Sequence, residues 1–129
     1  KFGASSYMAH LVLELRERNN EMRSAIDFAI TQEIADFLKD YCKEKGWILS
    51  AVDQYFEPEN IKDRDEASTP WEVEEAVRAA GEKVPKVFYE TGTTGKEPVS
   101  ILAGRDPLEV AEQICELAKI YSKSKQKIK

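Results

Sequence analysis

Apolar side chains recur early in the chain at Met8, Leu11, Val12 and Leu15, the i, i+3, i+4, i+7 spacing of one helix face, which predicts a helix from about Ser6 to Arg18. The polar side of that helix carries Ser6, Tyr7, His10 and Glu14. The period then changes. In "SAIDFAI", Ser24–Ile30, the residues Ile26, Phe28 and Ile30 share one side, as in a strand. Helical spacing returns with Ile34, Phe37, Leu38 and Tyr41, after Thr31 and up to the helix-ending Gly46. "WILSAV", Trp47–Val52, is almost unbroken apolar, as expected of a strand covered on both faces.

From Asp53 to Ala67 the chain is polar, holds Pro58 and lacks a period, which predicts a long loop. "TPWE" then offers Thr69 as a cap, Pro70 at the first helical position and Glu72 to close a capping box. Val73, Ala76, Val77 and Ala80 give that third helix its apolar face, and Gly81 ends it. "KVFYE", Lys86–Glu90, and "VSILA", Val99–Ala103, predict two strands on either side of "TGTTGKEP". A last helix starts with Asp106 as cap, Pro107 in its first turn and Glu109 at the box position, and is expected to bury Ala111, Ile114, Cys115 and Ala118. This alternation of elements implies an α/β domain with a mixed sheet in three layers.

Composition narrows the function classes. With 129 residues and a net charge of -5, the chain is one ordinary domain that lacks the concentrated basic face a polyanion requires. Only Ser122–Lys129 is locally basic, and it reads as a solvated tail after a domain spanning residues 1–121. Cys42 and Cys115 lie far apart at apolar helical positions, with one histidine in the chain, so buried reduced thiols are expected rather than a metal site. These features and the lack of a membrane-length apolar run suit a cytoplasmic protein. The first residue is not methionine, and Phe2-Gly3 reads as the end of an element, so the chain is expected to be part of a longer polypeptide.

Several stretches bear candidate chemistry. "TGTTGKEP" ends like a P-loop, yet position 90 is Glu90 where the first glycine belongs, position 97 is Glu97 where a hydroxyl must bind magnesium, and a strand follows. It is either a hairpin connection or a loop in which Lys96 and Glu97 grip a charged substrate. "GASS", Gly3, Ala4, Ser5 and Ser6, is either a serine-capped helix start or an anion site made by free N–H groups at the positive end of a helix dipole. Arg23 suits bidentate phosphate binding or a plain surface charge. Trp71 suits ring stacking or core packing. His10 alone lacks the partners a catalytic triad or metal site needs.

The order of these stretches carries more than any one of them. "FGASS", "MRSAID" (Met22–Asp27), "STPWEVEEA" (Ser68–Ala76), "TGTTGKEP" and "GRDPLEVAE" (Gly104–Glu112) together resemble the archaeal-type thiamine phosphate synthase domain, usually fused behind a hydroxymethylpyrimidine phosphate kinase. The family's domain starts several dozen residues earlier than this chain. The resemblance implies a three-layer α/β/α sandwich similar to the class II aldolase and epimerase fold, and a reaction. In it, the nitrogen of a phosphorylated hydroxyethylthiazole displaces pyrophosphate from hydroxymethylpyrimidine diphosphate, giving thiamine phosphate.

Such chemistry requires anion neutralisation, with Mg²⁺ accompanying the pyrophosphate, and alignment of the thiazole nitrogen in dry surroundings. The substrate-binding set implied is Gly3, Ala4, Ser5, Ser6, Arg23, Asp27, Asp53, Lys96 and Glu97, with Tyr7, His10 and Arg23 as catalytic candidates and no protein-held metal. The family pattern follows "FGASS" with a histidine and, three residues on, an arginine, where this chain has Tyr7 and His10. That departure leaves an alternative: a non-catalytic, thiamine phosphate-binding sensor in a transcriptional regulator. The implied partners are the phosphorylated precursors or thiamine phosphate, an upstream kinase or helix-turn-helix domain in the same polypeptide, and further copies of the chain in a homo-oligomer, with no membrane.

Overall fold

The computed structural model describes residues 2–53, 65–91 and 99–128, with side-chain surroundings for these except residues 2–7, 65–70, 72, 99 and 126–128. The elements are α1 (Phe2–Arg18), β1 (Ser24–Ala29), α2 (Gln32–Lys45), β2 (Leu49–Asp53), α3 (Asp65–Ala79), β3 (Val87–Thr91), β4 (Val99–Gly104) and α4 (Pro107–Ile128). Every predicted element is present, in the predicted order.

Local chemistry accounts for the sharpest boundaries. Thr31, in extended backbone, accepts a hydrogen bond at Oγ1 from the Ile34 amide at 3.1 Å and starts α2. Gly46 stops it at φ 75°, a left-handed position where a side chain would be strained, and its N–H donates to the carbonyls of Cys42 and Lys43. Asp106 caps α4 by accepting from the Glu109 amide at 2.8 Å. Glu109 reaches back one residue further than a capping box requires and accepts from the Arg105 amide at 2.9 Å.

Two starts differ from expectation. Helix α1 already includes Phe2, so Gly3–Ser6 lie within its turns rather than ahead of them. Helix α3 begins at Asp65, which puts Thr69 and Pro70 inside it. Single capping residues mark possible helix starts, whereas the helix observed extends as far as its hydrogen bonds allow. Of the predicted loop, Asp53 belongs to β2 and Asp65–Ala67 to α3, and residues 54–64 lie outside the described residues.

The four strands form one mixed sheet in the order β1-β4-β3-β2. β4 runs antiparallel to both β1 and β3, and β2 is parallel to β3. Alternation sends side chains to two cores. On one face, Ala25, Val52, Phe88, Ile101 and Ala103 meet Leu11 and Leu15 of α1 and Val73 and Ala76 of α3. On the other, Ile26, Phe28, Val87 and Leu102 meet Leu38, Tyr41 and Cys42 of α2 and Val110 and Leu117 of α4. The domain is thus a three-layer α/β/α sandwich, as the element order implies. Among the described residues, no helix is long and apolar enough to cross a membrane.

Helix α4 corrects one expectation. Its inward face is Val110, Ile114 and Leu117, continued by Tyr121 against Phe37, while Ala111, Cys115 and Ala118 are exposed. Two apolar stripes overlap on this helix, and the one with larger side chains removes more area from water when turned inward. Most of Ser122–Lys129, expected as a tail, belongs to α4, which continues to Ile128.

The cysteines therefore differ. Cys42 is 1% exposed and burial pushes its thiol up to about 11, whereas Cys115 is exposed. A thiol reagent at neutral pH is expected to label one cysteine per native chain quickly and the second only after denaturation. Two equally fast thiols in the native protein would contradict this burial.

Candidate functional site

The topology gives the sheet two chemically different ends. β1, β2 and β3 are parallel to one another through the register with β4, so their carboxyl ends, at Ala29, Asp53 and Thr91, lie together with the start of β4. In α/β sheets this is the edge where ligands commonly bind, because connections leave open crevices there. Helix α1 packs its Met8, Leu11 and Leu15 side on this sheet and joins β1 through only residues 19–23, so it runs back against β1. Its first turns, with Gly3, Ala4, Ser5, Ser6 and Tyr7, therefore project toward the carboxyl-end edge. Helix α3 also returns antiparallel to the strands, and Ala76 near its end accepts a hydrogen bond at its carbonyl from the Ser50 hydroxyl at 2.8 Å. The amino-terminal parts of α1 and α3 thus flank the same end of the same face.

Around this end the structure gathers part of the predicted set. His10 is half-buried on α1, one turn beyond Tyr7. Asp53 is exposed at the last position of β2, beside Thr91, whose hydroxyl donates to the Val52 carbonyl at 3.5 Å. Lys96 and Glu97 lie outside the described residues, in the connection from β3 to β4 that opens at this same end. Trp71 is half-buried and packs against the α1/α3 core, the plainer of its two readings.

Other members are separated. Asp27 is exposed on β1, at the register level of Ile101 and Phe88, and β1 and β2 are opposite edges of the sheet. Three strand spacings, roughly 14 Å, lie between the Asp27 and Asp53 strands. Arg23 precedes β1 at the far end of the sheet. Its amide donates to the Gly104 carbonyl at 2.8 Å and its Nε donates to the Asn20 carbonyl at 3.0 Å. At about 3.3 Å of rise per residue, roughly 20 Å of strand separates Arg23 from Ala29. Arg23 therefore closes the turn between α1 and β1, and within this chain it is not gathered with the glycine-serine turn. A position next to "SAID" in sequence does not show that Arg23 and Ala29 stand at opposite ends of β1.

The reading of the sequence did not single out Glu90. It is 8% exposed at the end of β3, paired in register with Val52, and its alternation with Phe88 turns it to the α1/α3 face. A carboxylate closing an otherwise apolar strand was the available signal, since such a group is rarely buried without a partner or a task. Among the described residues, no three His, Cys, Asp or Glu side chains form a metal cage. Magnesium held mainly by substrate phosphates needs only one or two carboxylates, and Glu90 is of the fitting type on the α1/α3 face, whereas Asp53 alternates to the other face of β2.

A second charged group sits at the opposite end. Lys86 pairs with Glu109 at 3.5 Å and lies 5.5 Å from the centre of the Trp47 ring. Burial pulls the Lys86 ammonium below its ordinary value, with Glu109 opposing that shift. The Arg105 amide, donating to the Glu109 carboxylate, holds that carboxyl below its usual range. This cluster ties the end of β4 to α4 and is structural.

Comparison with known proteins accords with this geometry. Residues 1–116 match the family model of the thiamine-phosphate synthase ThiN. The thiamine-phosphate synthase ThiN of Methanothermobacter thermautotrophicus is 37% identical over 125 residues, covering 97% of this chain and 63% of that protein. The bifunctional thiamine biosynthesis protein ThiDN of Methanocaldococcus jannaschii is 30% identical over 122 residues, covering 95% of this chain and 27% of that protein. The crystal structure of the C-terminal domain of a phosphomethylpyrimidine kinase superposes with a TM-score of 0.77 at 35% identity, over 86% of this chain and 60% of the other. The chain thus spans less than two thirds of these relatives, but with nearly its whole length matched and the three-layer fold shared, it belongs to the ThiN family of thiamine-phosphate synthases.

Proposed function

We propose that this chain is the domain that joins the two halves of thiamine phosphate. The ring nitrogen of phosphorylated hydroxyethylthiazole attacks the methylene of hydroxymethylpyrimidine diphosphate. A C–N bond forms, the C–O bond breaks, and pyrophosphate leaves with its electron pair. The observation that carries this reading is the family match over residues 1–116.

The residues at the carboxyl-end edge suit such a reaction. Small residues at Gly3 and Ala4 permit close approach of an anion to α1, and the hydroxyls of Ser5 and Ser6 can donate to phosphate oxygens. Lys96, in the β3–β4 connection, supplies positive charge for a phosphate. Glu90, beside apolar Val52, suits an orienting role toward an amine or ring N–H of the pyrimidine. Magnesium bound with pyrophosphate would neutralise the leaving group. A phosphomethylpyrimidine kinase module in the same polypeptide also belongs to this reading, because the superposable crystal structure is named as the C-terminal domain of such a kinase.

The full-length polypeptide, given both precursors and magnesium, is expected to form thiamine phosphate and pyrophosphate in equal amounts. No product above background overturns the proposal. Tyr7 and His10 stand where the family pattern has histidine and arginine, so Tyr7→His with His10→Arg should raise turnover. Since a positioned donor to charge that develops on a leaving group is worth about 10²–10³-fold, a rise of about tenfold or more is expected in kcat. Unchanged kcat would show that neither position limits the reaction.

A further inference from the structure

Turning Val110, Ile114 and Leu117 inward leaves a second ordered stripe on the outer side of α4. Leu108, Ala111, Cys115, Ala118 and Ser122 follow one another at intervals of three, four, three and four residues, the spacing of a helix seam that meets another helix. All five are exposed, Leu108 at 68% of its surface. An open depression of about 370 Å³, lined by Ala111, Glu112, Cys115, Glu116 and Lys119, runs along the middle of this stripe. Small side chains here allow another backbone to approach closely, and an exposed leucine at the end of the stripe gives it something to cover.

Charge selects the occupant. Along one border of the seam stand Glu112 and, one heptad on, Lys119, both exposed. Neither is in an ion pair among the described residues, whereas Glu116 is held by Lys45 of α2 at 3.3 Å. In an antiparallel helix pair the same border of each helix meets itself. If Cys115 of one copy packs beside Ala118 of another, Ala111 falls opposite Ser122, and Glu112 of each copy falls within two residues of Lys119 of the other, about 3 Å along the axis. One two-fold operation thus satisfies both charges twice, as an isologous interface demands. A parallel pairing would instead bring this border against the opposite one, where Pro107, Ile114 and Tyr121 offer no charge to either group.

We propose that the outer face of α4 is the docking surface for a second copy of this chain, joined antiparallel through Leu108, Ala111, Cys115 and Ala118 and flanked by two Glu112–Lys119 ion pairs. In that arrangement the two Cys115 residues are offset by only three residues, about 4.5 Å, along the helix axes. They lie within reach of a short bismaleimide, and Cys115, exposed on each separate chain, is open to the reagent before the copies join.

The test uses the full-length polypeptide in sedimentation and cross-linking. The wild type is expected to sediment as a dimer and to give a covalent dimer with bismaleimide that Cys115→Ser abolishes. Glu112→Lys sets like charges opposite each other at two places and should weaken dimerisation by about tenfold or more, as should Lys119→Glu. Glu112→Lys combined with Lys119→Glu restores complementarity and should restore the dimer. A monomer at all concentrations overturns the proposal. So does a dimer that Cys115 does not cross-link, or one indifferent to both single charge reversals.

Discussion

Phe88→Ala is expected to lower the free energy of unfolding by about 3–5 kcal/mol, the range for emptying a core site of a large aromatic. Phe88 is 2% exposed on β3, a strand paired on both sides, and it sits in the core with Leu11, Leu15, Val52, Val73, Ala76 and Ile101. Those neighbours come from two helices and two strands, so no single element can shift to fill the space. A domain of this size has only about 5–15 kcal/mol of stability, so much of it rests on this one ring. Urea unfolding of the variant against the wild type measures the effect, with Phe88→Leu as a milder control. A loss under about 1 kcal/mol would mean that the α1/α3 layer is not held over the sheet as described.

Gly104→Ala should cost about 1–3 kcal/mol for a different reason, the insertion of one methyl group into a filled site. A Cβ at Gly104 would stand 2.6 Å from Glu109 Oε2, 2.9 Å from Val110 Cγ2 and 3.1 Å from Lys86 Nζ. The two charged ends can swing away only by giving up the hydrogen bond from the Arg105 amide and the Lys86–Glu109 pairing. Val110 is 3% exposed and has nowhere to go. The effect has a pH signature. Glu109 has a depressed folded pKa, so its contribution is full above the unfolded carboxylate value, about 4.3, and is lost as pH falls through the folded value. The variant has already lost part of that contribution, so the stability gap between it and the wild type should narrow on acidification. Equal melting curves at neutral pH would remove the argument for close packing at this joint.

The outer edge of the sheet and the joint at Gly104 illustrate how unevenly the molecule was legible. Thr31, Gly46 and Asp106 were readable because a cap is a bond between near neighbours, and the sequence contains both partners. Alternation in "SAIDFAI" and the apolar runs at Trp47 and Lys86 identified strands for the same reason, since period depends on the element alone. The glycine-serine turn of α1 and the β3–β4 connection could be nominated from residue type. Nothing local says that Arg23 and Ala29 stand at opposite ends of the sheet, or that Glu90 turns toward α1 and α3.

Helix α4 makes the division clearest. Its residues determine that a helix begins at Pro107 and that it has two apolar stripes, but they do not choose between them. That choice belongs to the sheet, where Leu102, Val87 and Phe28 provide a surface that Val110, Ile114 and Leu117 cover better than Ala111, Cys115 and Ala118. The sequence by itself determined the elements, their order, their caps and the family the chain resembles, because these depend on neighbouring residues and on motif order. Only the tertiary structure decided the β1-β4-β3-β2 pairing, the gathering of three strand ends beside the first turns of α1, and the outward face of α4. Those follow from contacts between residues distant in sequence, whose energies depend on shape and buried area in three dimensions.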